Sequence, residues 1–527
     1  MYRLGIDVGG TNTDAVVMQG GKVLSGIKAP TSEDVTTGVV EAMEGAIKAA
    51  GIDRSLVTNV MIGTTHFTNA VIERKHMTQV AAIRLGLPAT ACLPPAIDWP
   101  EDLKPVVGKH GYMVRGGYEF DGREISPLDE DEIKRVAGEI RANNLKAAAV
   151  TCVFGPINAA MEQRTKAILQ EHCPGLPVVM STDIGRIGLL ERESAAIMNA
   201  SLLELAYKTV RAFGEALKSA GLTCPFHITQ NDGTLMAAET VRDFPVLTFA
   251  SGPTNSMRGA AFLTGVQEAI VVDIGGTTSD VGALHLGFPR QAATVVDVGG
   301  VRTNFRMPDV FSIGLGGGSL VRGEAETVTV GPQSVGYRIT SEAKVFGGAT
   351  LTATDIAVAA GHADVGDKSK VADVSPELAK AALARIHQML ENAIERSRVS
   401  PEPIPVIAVG GGSILMPDKL GDFQIIRPEN FSVANAVGAA IAQISGEVDR
   451  VFALENGLTR ELCLKQAEEE ATKNAVAAGA DPTTIQVIER EDVPLAYLPG
   501  NATRIHVKVV GEMGGRHERD HLPEGLF

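Results

Sequence analysis

Gly5-Ile6-Asp7-Val8-Gly9-Gly10-Thr11-Asn12-Thr13-Asp14 has a counterpart in Val271-Val272-Asp273-Ile274-Gly275-Gly276-Thr277-Thr278-Ser279-Asp280. One offset, 266 residues, aligns the leading Asp, both glycines, the polar run and the closing Asp of the two copies. Each copy starts with an apolar run suited to a buried strand, 2–8 in one and 269–274 in the other. Each then turns through Gly-Gly into short polar residues and a second apolar stretch, the pattern of a β-hairpin. A glycine tip lets another group approach the backbone closely, and its unpaired N–H groups attract anions. A carboxylate at the strand end can hold hydrated Mg²⁺ against phosphate. A single such hairpin would be read as a tight turn; two matched copies predict a phosphate site built by two lobes. Asp7 and Asp273 are the expected Mg²⁺ carboxylates, and Thr11 and Thr277 the expected catalytic hydroxyls. Gly9, Gly10, Asn12 and Thr13 would cradle phosphate from one side, and Gly275, Gly276, Thr278 and Ser279 from the other. Asp14 and Asp280 would orient hydroxyls or cap the turns.

The bulk of the chain sets limits on this reading. At 527 residues it exceeds one ordinary domain. Its composition, 44% hydrophobic and 21% charged, is that of a globular protein, and 57 glycines indicate many turns. A net charge of −15 argues against a nucleic-acid partner but not against a nucleotide, because a phosphate site is assembled locally. No apolar run approaches the roughly 20 residues that span a bilayer, and no secretory leader precedes Tyr2. Five scattered cysteines without a CxxC pair read as buried free thiols in a reducing cytoplasm.

Strands and helices alternate along the chain, which predicts an α/β fold. Helices are expected at 35–50, 129–143 and 158–171, with strands at 58–62 and 147–153. Residues 118–125 read as a strand or a hairpin with Asp121-Gly122 at its turn. Residues 63–70 form a polar loop entering a helix that continues through Glu73, Arg74 and Lys75. There, Thr64, Thr65, Thr68 and Asn69 are the short polar groups suited to touch a small substrate. Arg74 would stabilise charge or pair with Glu73. Two segments rich in small residues, 187–203 and 435–448, read as helices; in the second, Gly438, Ala442 and Gly446 fall on one face. They are either tightly packed within a domain or crossed at a lobe boundary. The strand 406–409 leads into Gly410-Gly411-Gly412-Ser413, suited to a ribose or base platform. Residues 312–319 are a loop over the site or a glycine turn. The hydroxyls of 251–256 cap a helix or contact ligand. His517 and His521, four apart beside Asp520, have metal-ligand spacing in a solvated tail.

The order of these elements resembles the actin-like ATPase superfamily, with the first connecting helix at 187–203, the adenosine motif at 406–413 and the second connecting helix at 435–448. Within it, the chain is similar to the hydantoinase/oxoprolinase A subunit family. The stretches that carry the likeness include GGTNTDAVV, GTTHFTNAVIERK (63–75), GGYEFDGREI (116–125), ERESAAIMNASL (191–202), SGPTNSMRGAA (251–261), DIGGTTSDV (273–281) and ANAVGAAIAQISGEVDR (434–450). The family often carries Val-Ala where this chain has His66-Phe67. The resemblance implies a two-lobed, ribonuclease H-like α/β fold. Its expected parts are a lobe at 1–195, a second at 196–450 closing on a returning helix at 435–450, and an α+β extension at 451–527. It also implies ATP and Mg²⁺, a cyclic amide such as a hydantoin, 5-oxoproline or a lactam as substrate, and a separate B-type subunit, with higher oligomers open. A ketone carboxylase subunit, a small-molecule kinase and an ATP-gated assembly module are the alternatives on the same scaffold.

Overall fold

The computed structural model describes residues 2–10, 12–30, 35–292, 295–398, 400–454, 458–495 and 502–514. The expected metal-spaced pair His517 and His521 therefore lies outside the described residues, as does Thr11.

The chain opens with strands β1 (Tyr2–Val8), β2 (Asn12–Gln19) and β3 (Lys22–Pro30), helix α1 (Val35–Ala50), strand β4 (Val57–Thr64) and helix α2 (His66–Glu73). In α1, Val39, Ala42, Met43, Ala46 and Ile47 recur at helical spacing and are buried. Helix α2 stops at Glu73 because Arg74 turns into the left-handed region, φ 56°, so the expected run through Lys75 is cut short. A smaller layer follows: β5 (Val80–Leu87), β6 (His110–Arg115), α3 (Glu130–Ala142), β7 (Ala147–Cys152), α4 (Ala160–His172) and β8 (Val178–Met180). The Asp129 carboxylate caps α3 by accepting from the Glu132 N–H. Residues 118–125 do form a turn, with Tyr118 bridged to Glu124 and Gly122 at φ 83°.

Helix α5 (Leu189–Ser219) is 31 residues long, nearly twice the expected segment. Strands β9 (Phe226–Thr229) and β10 (Thr234–Ala237), helix α6 (Ala238–Asp243) and helix α7 (Ser251–Thr264) lead to the second hairpin. That hairpin comprises β11 (Ala269–Ile274) and β12 (Ser279–His285), followed by β13 (Phe288–Pro289), the ribbon β14 (Val296–Val298) with β15 (Val301–Thr303), and β16 (Val310–Ile313). The chain continues through β17 (Ser319–Arg322), β18 (Thr329–Ser334), α8 (Ile339–Glu342), α9 (Ala353–Ala359), α10 (Pro376–Ser397), β19 (Val406–Val409), β20 (Lys419–Leu420) and β21 (Phe423–Ile426). It ends with α11 (Ala434–Ile441), β22 (Gln443–Phe452), α12 (Arg460–Ala477), β23 (Gln486–Pro494) and β24 (Thr503–Gly511).

The sheets repeat the duplication seen in the sequence. One contains the order β3-β2-β1-β4-β9, the other β13-β12-β11-β19-β21. In both, the first three strands are antiparallel and the next two join in parallel. This is the ribonuclease H-like arrangement, present twice, and the chain has the actin-like ATPase fold. Separate apolar clusters fill the two halves: Leu4, Ile6 and Val60 belong to one, Ile270, Val272 and Val406 to the other.

Three expectations are corrected by the packing. The 435–448 helix ends at Ile441, and Gln443–Phe452 is a strand whose alternate residues Ile444, Gly446 and Val448 are buried. Small residues four apart satisfy helical spacing, but four is also an even number of strand steps. Gly446 is small because a Cβ there would lie 2.0 Å from the Ala471 carbonyl of α12. Second, the helix crossing α11 is α7. A Cβ on Gly259 would lie 1.9 Å from the Ala434 carbonyl, and one on Gly438 would lie 1.8 Å from the Asn255 carbonyl. Helix α5 instead packs against α1 and β7. Third, β22 to β24 continue the first sheet, joined to it through β10, and β9 pairs with β4. Residues from the expected second lobe and the C-terminal extension thus belong to the first sheet, and the expected division at 195/196 falls inside α5.

Among the described residues no helix is long and apolar enough to cross a membrane. None of the five cysteines forms a disulfide; four are buried as expected, and Cys92 is exposed, against that expectation.

Candidate functional site

The hairpin tips match in detail. In the first, Asp7 faces Asp14 and the Gly9 N–H donates to the Asn12 carbonyl at 3.0 Å; in the second, Asp273 faces Asp280 and the Gly275 N–H donates to the Thr278 carbonyl at 2.9 Å. Gly10, Thr277 and Thr278 are exposed at the tips, with Gly9, Asn12, Gly275 and Gly276 partly so. Thr13 and Ser279 point inward, and the Ser279 hydroxyl donates to the Leu315 carbonyl at 2.6 Å. That serine is fully buried, with its side chain committed to the scaffold and its backbone paired with Ile274 and Ile313 in the sheet. The 312–319 segment braces the second tip: Gly317 N–H donates to Gly275 O at 2.9 Å and Gly318 N–H to Gly276 O at 2.7 Å.

Helix α7 joins the two hairpins through consecutive residues. Asn255 Nδ2 donates to Asp7 Oδ1 at 3.1 Å and to Thr229 Oγ1 at 3.0 Å. The next residue, Ser256, donates through Oγ to Asp273 Oδ2. From α11, Asn435 Nδ2 reaches Asp7 Oδ2 at 3.0 Å and Asp14 Oδ2 at 2.7 Å. Lys28 on β3 completes the set with Nζ 2.6 Å from Asp14 Oδ1. Sequence reasoning did not single out Asn435 or Lys28. It did flag 251–256, but as a helix cap or a ligand contact rather than as partners of the hairpin carboxylates.

Electrostatics mark these carboxylates as a strained group. Burial pushes Asp7 up to about 6, with the Asp14 and Asp273 charges adding to the rise while Asn255 and Asn435 oppose it. That shift corresponds to a cost of about 3 kcal/mol on the charged form relative to an ordinary Asp. Burial also raises Asp273, against Ser256 and Lys28, which stabilise its charge. Asp280 rises to about 7, again through burial, with Ser312 opposing and the Asp273 charge assisting. Four carboxylates thus crowd one region with Lys28 as the nearby cation, and a dication would relieve the excess charge. Among the described residues no three His, Cys, Asp or Glu side chains gather as a direct metal cage. Mg²⁺ keeps much of its hydration and needs only one or two protein carboxylates, so a full cage is not required of Asp7 and Asp273.

The glycine turn after β19 stands beside the second acid. Asp273 pairs with Val409, and a Cβ on Gly410 would lie 2.2 Å from Asp273 Oδ1, so this position excludes a side chain. Gly412 packs on Ile274, and among the described residues a Cβ at Gly411 would meet open space and the buried Ser413 hydroxyl has no hydrogen-bond partner.

The expected substrate residues fall into two groups. Gly63 pairs with Asp7 and Thr64 with Val8, which places the 64–69 segment at the mouth of the first hairpin. Thr64 Oγ1 and His66 Nδ1 share a hydrogen bond of 2.5 Å, and burial lowers the His66 imidazole to about 4, so it is neutral at pH 7. Thr65 Oγ1 donates to Val8 O at 3.3 Å, Asn69 Nδ2 donates to Thr65 Oγ1 at 3.3 Å, and Thr68 is partly exposed. Arg74 is elsewhere engaged: Nε to Asp102 at 3.0 Å, Nη1 to Val71 O at 2.6 Å and Nη2 to Gly299 O at 2.7 Å. Its partner is Asp102 rather than Glu73, and its donors tie α2 to the β14–β15 turn.

Comparison with known proteins bears on this geometry. Residues 3–173 match the model of the hydantoinase/oxoprolinase N-terminal region, and residues 192–367 match that of hydantoinase/oxoprolinase. Caprolactamase subunit alpha from Pseudomonas jessenii is 28% identical over 390 residues, 68% of this chain and 54% of that protein. Acetophenone carboxylase gamma subunit from Aromatoleum aromaticum is 25% identical over 393 residues, 68% of this chain and 53% of that one. The chain therefore spans about half the length of these curated relatives. The crystal structure of ATP-dependent caprolactamase from Pseudomonas jessenii superposes with a TM-score of 0.75 at 19% identity, over 99% of this chain and 89% of that one. It shares the fold.

Proposed function

The chain belongs to the hydantoinase/oxoprolinase family, and from that premise we propose that it opens a cyclic amide at the expense of ATP, as an A-type subunit working with a B-type partner in the cytoplasm. One observation carries the reading: Asn255 and Ser256, adjacent on α7, hold the acids of two duplicated hairpins. A single nucleotide bound across them would meet both tips at once.

A lactam resists water because resonance makes its carbonyl a poor electrophile. Transfer of the γ-phosphoryl group to the carbonyl oxygen produces ADP and an activated imidate carbon. Addition of water there, with cleavage of the ring C–N bond, frees the amine and leaves an acyl phosphate. A second water converts that to carboxylate and phosphate. Phosphoryl transfer chiefly demands positioning and neutralisation of charge. Gly9 and Gly275 close the two turns, the backbone of Gly10 and Gly276 would supply donors, and the exposed Thr277 and Thr278 hydroxyls would add to them. Asp7 and Asp273 would hold Mg²⁺, whose charge offsets the phosphate oxygens. The Gly410–Ser413 turn would face the adenosine. Thr64, Thr65, Thr68 and Asn69 line the approach from which the ring amide would come.

Asp7→Ala and Asp273→Ala should each abolish ATP turnover while leaving the circular dichroism spectrum unchanged; normal hydrolysis by either variant contradicts the assignment. The similarity to an acetophenone carboxylase subunit favours a second reading, a ketone carboxylase subunit. Product analysis separates the two: a ring-opened amino acid with ADP and phosphate, against a carboxylated ketone.

A further inference from the structure

A second cavity, of about 510 Å³, contains none of the hairpin residues. Its walls come from the 182–187 turn after β8, the 230–232 turn after β9, residues 305–306, and strands β22 and β24. Its volume falls within the range of small-molecule sites.

Most charges on its walls are already matched. Arg306 lies 3.0 Å from Glu447 and donates to Glu489 at 2.7 Å. Arg504 Nε donates to Asp449 at 2.7 Å, and Lys508 pairs with Asp232. Two groups stand outside this pairing. Among the described residues the one ion pair of Arg186 is with Asp449, at 3.7 Å, and that carboxylate already accepts two hydrogen bonds from Arg504. Among the described residues the Arg186 guanidinium forms no hydrogen bond, although its backbone is fixed: its N–H donates to Asn304 at 3.3 Å and its carbonyl accepts from Arg192 at 3.0 Å. Burial and the Arg306 and Arg504 charges lower the Arg186 pKa, as expected for a cation lacking a full partner. Asp183, three residues earlier on the same turn, has no ion pair among the described residues, and burial raises its pKa despite Lys166.

An uncommitted guanidinium and an uncommitted carboxylate in one cavity suit a ligand with a carboxylate at one end and an ammonium at the other. We propose that this cavity binds a small zwitterion of the amino acid type, Arg186 taking its carboxylate and Asp183 its ammonium group. A phosphate dianion is disfavoured, because Asp183, Asp232, Glu447 and Asp449 all face the same space. The identification of the zwitterion rests on the lactam reading, since water-driven opening of a lactam creates an amine and a carboxylate on one chain. The two sites are also structurally continuous. Thr229, which accepts from the Asn255 amide that holds Asp7, is followed directly by Gln230 and Asn231 of the cavity wall, and the Asn231 carbonyl accepts from Thr254 at 2.9 Å.

Calorimetry on the full chain at pH 7, without nucleotide, tests this with 5-aminopentanoate, pentanoate and pentylamine as probes. The wild type should bind 5-aminopentanoate about tenfold or more tightly than either single-ended probe, because each end adds a charge-assisted hydrogen bond. Arg186→Gln should lose at least about tenfold in affinity, and Arg186→Lys should recover part of it. Asp183→Asn should bring 5-aminopentanoate down to the level of pentanoate. Unliganded melting temperatures report whether each variant folds. Absence of saturable binding by the wild type, or equal binding by a folded Arg186→Gln, overturns the proposal. The assay needs no ATP and no ring opening, so the two readings fail separately. Amino acid binding without lactam opening removes only the catalytic reading, and lactam opening without amino acid binding removes only the cavity.

Discussion

Asp7 is buried against two other acids, and its charge is sustained by the amides of Asn255 and Asn435. Removing one amide leaves the burial and the repulsion in place, so Asn255→Ala should raise the Asp7 pKa further. The acidic limb of the ATP-turnover profile should then move to higher pH than in the wild type, with kcat reduced at pH 7; an unmoved limb would mean that Asn255 serves packing only. The same shifts set a stability profile. Asp7 and Asp280 titrate near 6 and 7 in the fold, above the ordinary carboxylate value of 3.8. Their protonated forms are therefore favoured by folding, and the stability they contribute is present below about 4 and lost as pH rises through 6 to 7. Stabilisation by Mg-ATP should run the opposite way. Differential scanning fluorimetry should show a ligand-induced rise in Tm that is large at pH 8 and nearly absent at pH 5. At this scale the acids and glycines were legible in the sequence, because the duplication marked them twice. Asn435 and Lys28 were not, because an asparagine at a helix start and a lysine in an edge strand have many common uses.

The elements that set the site are α7 and α11, which cross at the glycines Gly259 and Gly438. A methyl group at either glycine collides with backbone. Gly259→Ala should therefore force the helices apart, destabilise the protein by about 1–3 kcal/mol and displace Asn255 and Asn435 together. Gly138→Ala in α3 is the control: nothing lies within 4 Å of the added Cβ, and removing a helical glycine should stabilise by about 0.5–1 kcal/mol. Denaturant titration with parallel ATP-turnover assays checks both, and equal effects of the two substitutions would contradict the crossing. Small-residue helices were visible in the sequence, which left open whether α11 crosses α5 or packs within a domain and did not point to α7. Both α5 and α7 are rich in Ala, Ser and Gly, and only long-range packing distinguishes them. The reading of 443–448 as helix failed for a related reason. Gly446 is small to admit α12, a neighbour that local periodicity does not reveal.

Across the whole molecule, duplication of one sheet pattern yields two tips that share a helix. The two-lobed α/β architecture was legible because apolar runs and glycine turns recur at one offset. The return of β22 to β24 to the first sheet was not, since strand partners far apart in sequence leave no local signature. Closure of two tips on one ligand should protect the connections between them, and limited proteolysis should slow in Mg-ATP relative to Mg²⁺ alone. The central claim is that both hairpins serve a single nucleotide, and isothermal calorimetry with Mg-ATP tests it most directly. The account predicts one nucleotide per wild-type chain, and loss of at least about 100-fold in Mg-dependent affinity in Asp7→Ala and in Asp273→Ala alike. Two nucleotides per chain, or wild-type affinity in either folded variant, would contradict it.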